Sequence, residues 1–194
     1  IEICGIENHP TPYHLGFKLG PRINAGGRVG KCSHGANLLL NKSPKETFKI
    51  ASELDNYNKE RQILENELLN KILNTDYNQS NDPVIILSGE NWHEGVIGII
   101  ASRIKEKFNK PSIIISVNNN IGKGSARSIV GFDIGSAIIG ATQKKILVRG
   151  GGHKMAGGFT LEMNKIEEFK EFIIKKFKTI NKNPNKHLDY FFDA

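Results

Sequence analysis

The sequence predicts an α/β protein in which a mixed sheet and its helices follow one long helix and a glycine- and proline-rich N-terminal segment. Three observations carry this expectation. Apolar residues recur every three or four positions over residues 43–73, the spacing of one helix face. Short apolar runs at 84–87 and 113–117 are parted by an amphipathic stretch, as two buried strands are when a helix links them. Residues 1–42 are instead rich in Gly and Pro and hold the run Gly20-Pro21-Arg22-Ile23-Asn24-Ala25-Gly26-Gly27-Arg28.

The elements follow in order. Ser43-Pro44-Lys45-Glu46 reads as a capping box with proline at the first helical position, the Glu46 N–H donating to the Ser43 hydroxyl and the Glu46 side chain reaching back. Phe48, Ala51, Leu54, Tyr57, Leu64, Leu68 and Ile72 mark the apolar face, interrupted at Arg61. Unbroken, such a helix is ~45 Å long at about 1.5 Å per residue. Residues 74–82 are polar, precede Pro83 and read as its exit loop. A strand at 84–87 stops at Ser88-Gly89, and a helix at 96–108 carries Ile97, Ile100, Ala101, Ile104 and Phe108 on one face. Pro111 separates it from the strand at 113–117, and residues 122–128 read as a neighbouring strand across a turn at 118–120. A helix at 134–142, a glycine loop, a strand at 159–162 and a helix capped at Asn164 and running to about Phe177 complete the domain. The expected divisions are 1–42, the end of one domain; 43–82, helix and loop; 83–180, the α/β domain; and 181–194, a linker or the start of a further domain.

Composition narrows the function. Hydrophobic residues make up 38% and charged residues 24%, as in globular proteins, and no apolar run approaches the roughly 20 residues of a membrane span. No secretory signal pattern is present, so a cytoplasmic protein is expected, and an opening on Ile1 rather than Met reads as the middle of a longer chain. The formal charge of +7 suits a polyanionic partner, because neutralised phosphates release counterions; a solvated basic surface produces the same figure. Cys4 and Cys32 lack metal-ligand spacing and read as reduced thiols.

Four segments have the residue types that handle phosphate. In the first, Arg22 and Arg28 offer planar guanidinium forks around small residues, with Asn24 between them. In the second, Asn91-Trp92-His93-Glu94-Gly95, a strand gives way to a helix whose first N–H groups and positive dipole end suit an anion. There His93 and Glu94 can orient groups or move protons, whereas the plain alternative has Glu94 only complementing the helix start and Trp92 only packing. In the third, Gly122-Lys123-Gly124-Ser125-Ala126-Arg127-Ser128, strand alternation puts Ser125 and Arg127 on one face, a hydroxyl beside a guanidinium. The fourth holds five glycines in nine residues, Gly150-Gly151-Gly152-His153 and Lys154-Met155-Ala156-Gly157-Gly158. Glycine that dense marks close approach of the backbone to something, and His153 beside it can donate to a phosphoryl oxygen.

In this order and spacing, GPRINAGGR, WHEGVIGIIASR, GKGSARS and GGGHKMAGG resemble RecJ-type members of the DHH phosphoesterase superfamily. The resemblance covers most of the chain, from about His14 to Glu162; GGGH marks the DHH-associated domain at large, and GPRINAGGR before a long helix is the more specific feature. It implies a DHH-associated domain joined by the long helix to the C-terminal remnant of a DHH domain, in an exonuclease of DNA repair and recombination that degrades single-stranded DNA from its 5′ end. By the same resemblance Arg22, Asn24 and Arg28 sit at the rim of the catalytic lobe, and Ser125 and Arg127 hold phosphate near the 5′ end. His153 is the catalytic candidate facing the scissile bond; His93, Glu94, Gly150, Gly151 and Gly152 join the substrate-binding set. Mn²⁺ or Mg²⁺ would be held by a missing N-terminal DHH domain, since the aspartates here are scattered and no metal ligand is assigned to this chain. The chain alone is therefore expected to be inactive. The rival expectations are a DHH phosphoesterase acting on oligoribonucleotides or cyclic dinucleotides, and a non-catalytic nucleic-acid-binding fragment.

Overall fold

A computed structural model describes residues 1–74 and 82–180. Most of the expected exit loop and all of the expected tail lie outside the described residues. The described residues cluster into two compact units, one drawn from Ile1–Gln79 with His93–Ile100 and the other from Ser80–Trp92 with Ala101–Ala194.

The first unit is helical. A short helix α1 (Pro12–His14) runs through a π-helical turn (Leu15–Leu19) into α2 (Gly20–Val29), followed by α3 (His34–Leu40) and α4 (Pro44–Leu73). The GPRINAGGR run is thus helix α2, with Pro21 in its first turn, where its missing N–H has no partner to lose. Gly26 serves packing, whereas Gly27 is exposed with open space about it. A Cβ on Gly26 would sit 2.6 Å from the Lys31 carbonyl oxygen and 3.2 Å from the Leu54 side chain, so α2 and α4 come closer than any larger residue allows.

Helix α4 has the predicted extent, but its start is built differently. Ser43 makes no side-chain cap; its own N–H instead donates to the Asn41 side chain at 2.8 Å, and the expected capping box is absent. The interruption at Arg61 has a physical reason. Arg61 donates to Glu65 at 2.7 Å and to Asn58 at 3.2 Å, and all three are largely buried between Leu54 and Leu68 along the helix. One turn earlier, Asp55 accepts from Arg22 at 2.8 Å and pairs with Lys59 at 2.8 Å. Burial pushes the Asp55 carboxyl up, but hydrogen bonds from Lys59 and Arg22 and their positive charges outweigh it, and the net direction is down. A carboxylate depressed in the fold stabilises it above the unfolded pKa and loses that contribution as pH falls through the folded value. Asp55→Asn is therefore expected to lower stability at neutral pH by about 1.5–3 kcal/mol and to flatten the acid limb of a melting-temperature profile followed by circular dichroism between pH 3 and 7.

The second unit holds a five-stranded sheet in the order β1-β2-β3-β5-β4. Its strands are β1 (Ile85–Glu90), β2 (Ser112–Asn118), β3 (Ile121–Arg127), β4 (Arg149–His153) and β5 (Ala156–Glu162). Only β1 and β2 run parallel, with helix α5 (Glu94–Phe108) in the connection between them as a parallel pair requires; the other pairs are antiparallel. Asn119 (φ 49°) and Asn120 (φ 62°) form the two-residue turn between β2 and β3, both in the left-handed region that such hairpins demand. Helices α6 (Ile134–Gln143) and α7 (Ile166–Ile180) supply Ile134, Ile138, Phe169 and Ile173 to a core that includes Ile113, Ile115, Phe159 and Leu161. Asp133 caps α6 by accepting the Ser136 N–H at 2.9 Å.

The glycine cluster expected to be a loop is an edge strand. Residues Gly150–Gly152 lie within β4, a two-residue turn follows His153, and β5 starts at Ala156 rather than at residue 159. Glycine argues against a strand by propensity, because it has no side chain to pack; here the missing side chains are what lets the strand fit.

Candidate functional site

Alternation along β3 sends Gly122, Gly124 and Ala126 into the core beneath α6 and α7 and Lys123, Ser125 and Arg127 to the opposite face. The two glycines of that motif therefore serve aromatic and aliphatic packing rather than a ligand. A Cβ on Gly124 would fall 2.1 Å from the Phe159 ring, and one on Gly122 would fall 2.7 Å from Leu161.

Register continues this face across β5 and β4. Arg127 stands opposite Ala156, which stands opposite His153; Ser125 is followed by Gly158 and Gly151; Lys123 is followed by Thr160 and Arg149. The middle row has almost no relief, since nothing lies within 4 Å of a Cβ built on Gly151, and one on Gly158 meets only the Gly124 carbonyl at 3.7 Å. The result is a trough of bare backbone with Arg127 and His153 on one side and Lys123 and Arg149 on the other. His153, Lys123, Arg149 and Gly158 are exposed; Ser125, Arg127 and Thr160 are half-buried. Arg127 Nη1 donates to Ser125 Oγ at 3.2 Å and to the Ala126 carbonyl at 2.8 Å, which orients the guanidinium along its own strand.

The three glycines before His153 divide by the same alternation. Gly151 opens onto the trough. A Cβ on Gly150 would collide with Ile138 at 2.7 Å and Phe159 at 2.9 Å, and one on Gly152 would lie 2.3 Å from the Ala156 carbonyl. The structure thus joins Ser125, Arg127, Gly151 and His153 on one surface, while Gly150 and Gly152 fit the strand to its neighbours.

Lys123, Arg149, Thr160 and Gly158 also belong to this surface; Arg149 and Thr160 lie outside the four sequence segments, and Lys123 and Gly158 lie within them but were given no role of their own. Their signal is the period of two along β3 and β5, hidden because β5 begins earlier than its apolar pattern suggests.

The first unit holds the remaining candidates. Arg22 is engaged by Asp55 and by the Lys18 carbonyl at 2.8 Å, an anchoring set of bonds. Asn24 and Arg28 are exposed one turn apart on α2. Arg28 Nη1 donates to the Gly95 carbonyl at 3.3 Å, and the Arg28 carbonyl lies where a Cβ on Gly95 would be, 2.0 Å away, so Gly95 is the residue that lets the first turn of α5 meet the end of α2. His93 Nδ1 accepts the Gly95 N–H at 3.1 Å, which leaves the neutral ring's proton on Nε2. His93 and Glu94 are exposed at this helix start. In the second unit the Trp92 indole lies against Gly89, where a Cβ would be 2.2 Å from the ring, so Trp92 packs.

Among the described residues, no three His, Cys, Asp or Glu side chains gather as a metal site, and no helix is long and apolar enough to cross a membrane. The donors on the sheet face are guanidinium, ammonium, hydroxyl and imidazole groups, which fit an anion and do not fit Mn²⁺ or Mg²⁺.

Residues 81–179 match the DHHA1 domain family model. The chain is 33% identical over 159 residues to the single-stranded-DNA-specific exonuclease RecJ of Bacillus subtilis, covering 80% of this chain and 20% of that protein. It is 38% identical over 165 residues to RecJ of Salmonella typhimurium, covering 81% of this chain and 29% of that protein. Crystal structures of Thermus thermophilus RecJ in complex with Mg²⁺ and with Mn²⁺ superpose with a TM-score of 0.78 at 30% identity over 90% of this chain, and 27% and 25% of those chains. The chain thus spans less than a third of the length of these curated relatives.

Proposed function

Since this chain belongs to the DHHA1 domain family, we propose that it is the DNA-gripping portion of a metal-dependent exonuclease that hydrolyses phosphodiester bonds in single-stranded DNA from the 5′ end, in DNA repair and recombination in the cytoplasm. The observation that carries this reading is the sheet face, which Ser125, Arg127 and His153 share with the bare Gly151 backbone. Relatives named as single-stranded-DNA-specific exonucleases support the substrate class.

The division of labour follows from the donor chemistry. Arg127, oriented by Ser125, binds a phosphate near the 5′ end; His153 donates to phosphoryl oxygens as charge develops on them; Gly151 lets the strand lie on the backbone. Arg22, Asn24 and Arg28 form the rim of the catalytic lobe, with Arg22 anchored by Asp55, and His93 and Glu94 belong to the substrate-binding set; on β4, Gly150 and Gly152 fit the strand to its neighbours. Mn²⁺ or Mg²⁺, which would supply the hydroxide and offset charge, is assigned to residues of an N-terminal DHH domain outside this sequence.

Binding tests the reading directly. With about four cationic contacts, log K for a labelled single strand is expected to fall against log[salt] with a slope near −3, at roughly −0.7 per contact. Little dependence on base sequence is expected, because phosphate rather than base edges is read. Fluorescence anisotropy across a salt series measures both, and a slope near zero would remove the phosphate-gripping model.

A further inference from the structure

We infer that Lys123, Thr160 and Arg149 form a second phosphate-binding row on the same sheet face, so that the surface takes hold of an internal phosphate of the strand as well as the terminal one. The inference rests on the reading of Ser125, Arg127 and His153 given above and extends it along the strands.

Geometry carries it. Lys123, Thr160 and Arg149 are cross-strand partners in consecutive pairs, one on each of β3, β5 and β4. Their side chains therefore rise from the sheet side by side, at about 4.5–5.5 Å per strand step. Arg149 Nε and Thr160 Oγ1 lie 3.4 Å apart, which places the guanidinium over the sheet rather than away from it. The chemistry suits phosphate: this row holds two cations and a hydroxyl where the first holds a guanidinium and an imidazole, and neither cross-strand row contains a carboxylate. Between the rows lie Ser125, Gly158 and Gly151, so no tall side chain separates them.

Spacing then sets what the row would touch. Lys123 and Arg127 are four residues apart on one strand, about 14 Å at ~3.4 Å per residue. A stacked nucleic-acid strand advances about 3.4 Å per nucleotide and an extended one further, so the second row meets a phosphate roughly two to four nucleotides along. A dinucleotide is too short to span both rows; a hexanucleotide is long enough.

The test compares the chain with its Lys123→Gln/Arg149→Gln double variant and with Arg127→Ala, using 5′-phosphorylated thymidine di- and hexanucleotides. Both residues of the double variant are exposed, so the fold is retained, and circular dichroism checks this. The double variant is expected to bind the dinucleotide as the wild type does and the hexanucleotide at least tenfold more weakly. Its salt slope for the hexanucleotide should be smaller by about 1.4, two contacts at ~0.7 each. Unchanged hexanucleotide affinity and slope, with Arg127→Ala weakening both lengths, would refute the second row and leave the first standing. If Arg127→Ala too binds both lengths normally, the reading on which the row rests falls with it.

Discussion

Gly152→Ala is expected to lower the melting temperature of the second unit by more than about 10 °C, whereas Gly151→Ala, one residue away, is expected to leave it unchanged or slightly higher. A Cβ at Gly152 would stand 2.3 Å from the Ala156 carbonyl oxygen and 2.5 Å from Gly157 Cα. Both are backbone atoms of β5, which is held between β3 and β4 and has no room to retreat. Relieving such overlap costs about 1–3 kcal/mol or more, and each kcal/mol shifts the midpoint by roughly 4–8 °C in a domain of this size. At Gly151 nothing lies within 4 Å of the added atom, and alanine reduces the freedom of the unfolded chain. A larger side chain there should act on the ligand alone. Gly151→Leu is expected to keep the wild-type melting temperature and to weaken single-stranded DNA at least tenfold, because it fills the trough. Equal melting temperatures for the two alanine variants would show that β4 can shift to accommodate either, and the split of glycine roles would be wrong.

That split also shows where the sequence was readable. The long helix, the β1–α5–β2 unit and the α6 and α7 helices followed from apolar period and length, because each buries one face against a core that tolerates little else. Ser125 and Arg127 were legible as a pair for the same reason, two residues apart on a strand. The glycines were not. Propensity assigns dense glycine to loops, yet Gly122, Gly124, Gly150, Gly152 and Gly157 are glycines because Leu161, Phe159, Ile138 or a neighbouring backbone occupies the space of a Cβ, and such contacts form only once strands distant in sequence are paired. The capping box failed for a local reason: Asn41 reached the Ser43 N–H from outside the motif. Arg22 looked like a free fork until α4 brought Asp55 to it.

Arg127→Ala is expected to weaken binding of 5′-phosphorylated single-stranded DNA by about 10- to 150-fold, the equivalent of the ~1.5–3 kcal/mol of a charge-assisted hydrogen bond. The guanidinium is half-buried and held by Ser125 Oγ at 3.2 Å and the Ala126 carbonyl at 2.8 Å, so little freedom is lost when a phosphate arrives. Two further variants separate charge from geometry. Arg127→Lys keeps the charge but loses the planar fork, and it should recover only part of the affinity. Ser125→Ala leaves the charge intact and removes one of the bonds that aim it, so a loss of only a few-fold is expected. The terminal phosphate supplies the sharper readout. If Arg127 holds it, the wild type should prefer a 5′-phosphate over a 5′-hydroxyl strand of the same sequence, and Arg127→Ala should bind the two alike. A variant that is weaker on both strands but keeps the full preference would mean that Arg127 grips an internal phosphate instead, and the 5′ end would have to be placed elsewhere on the sheet.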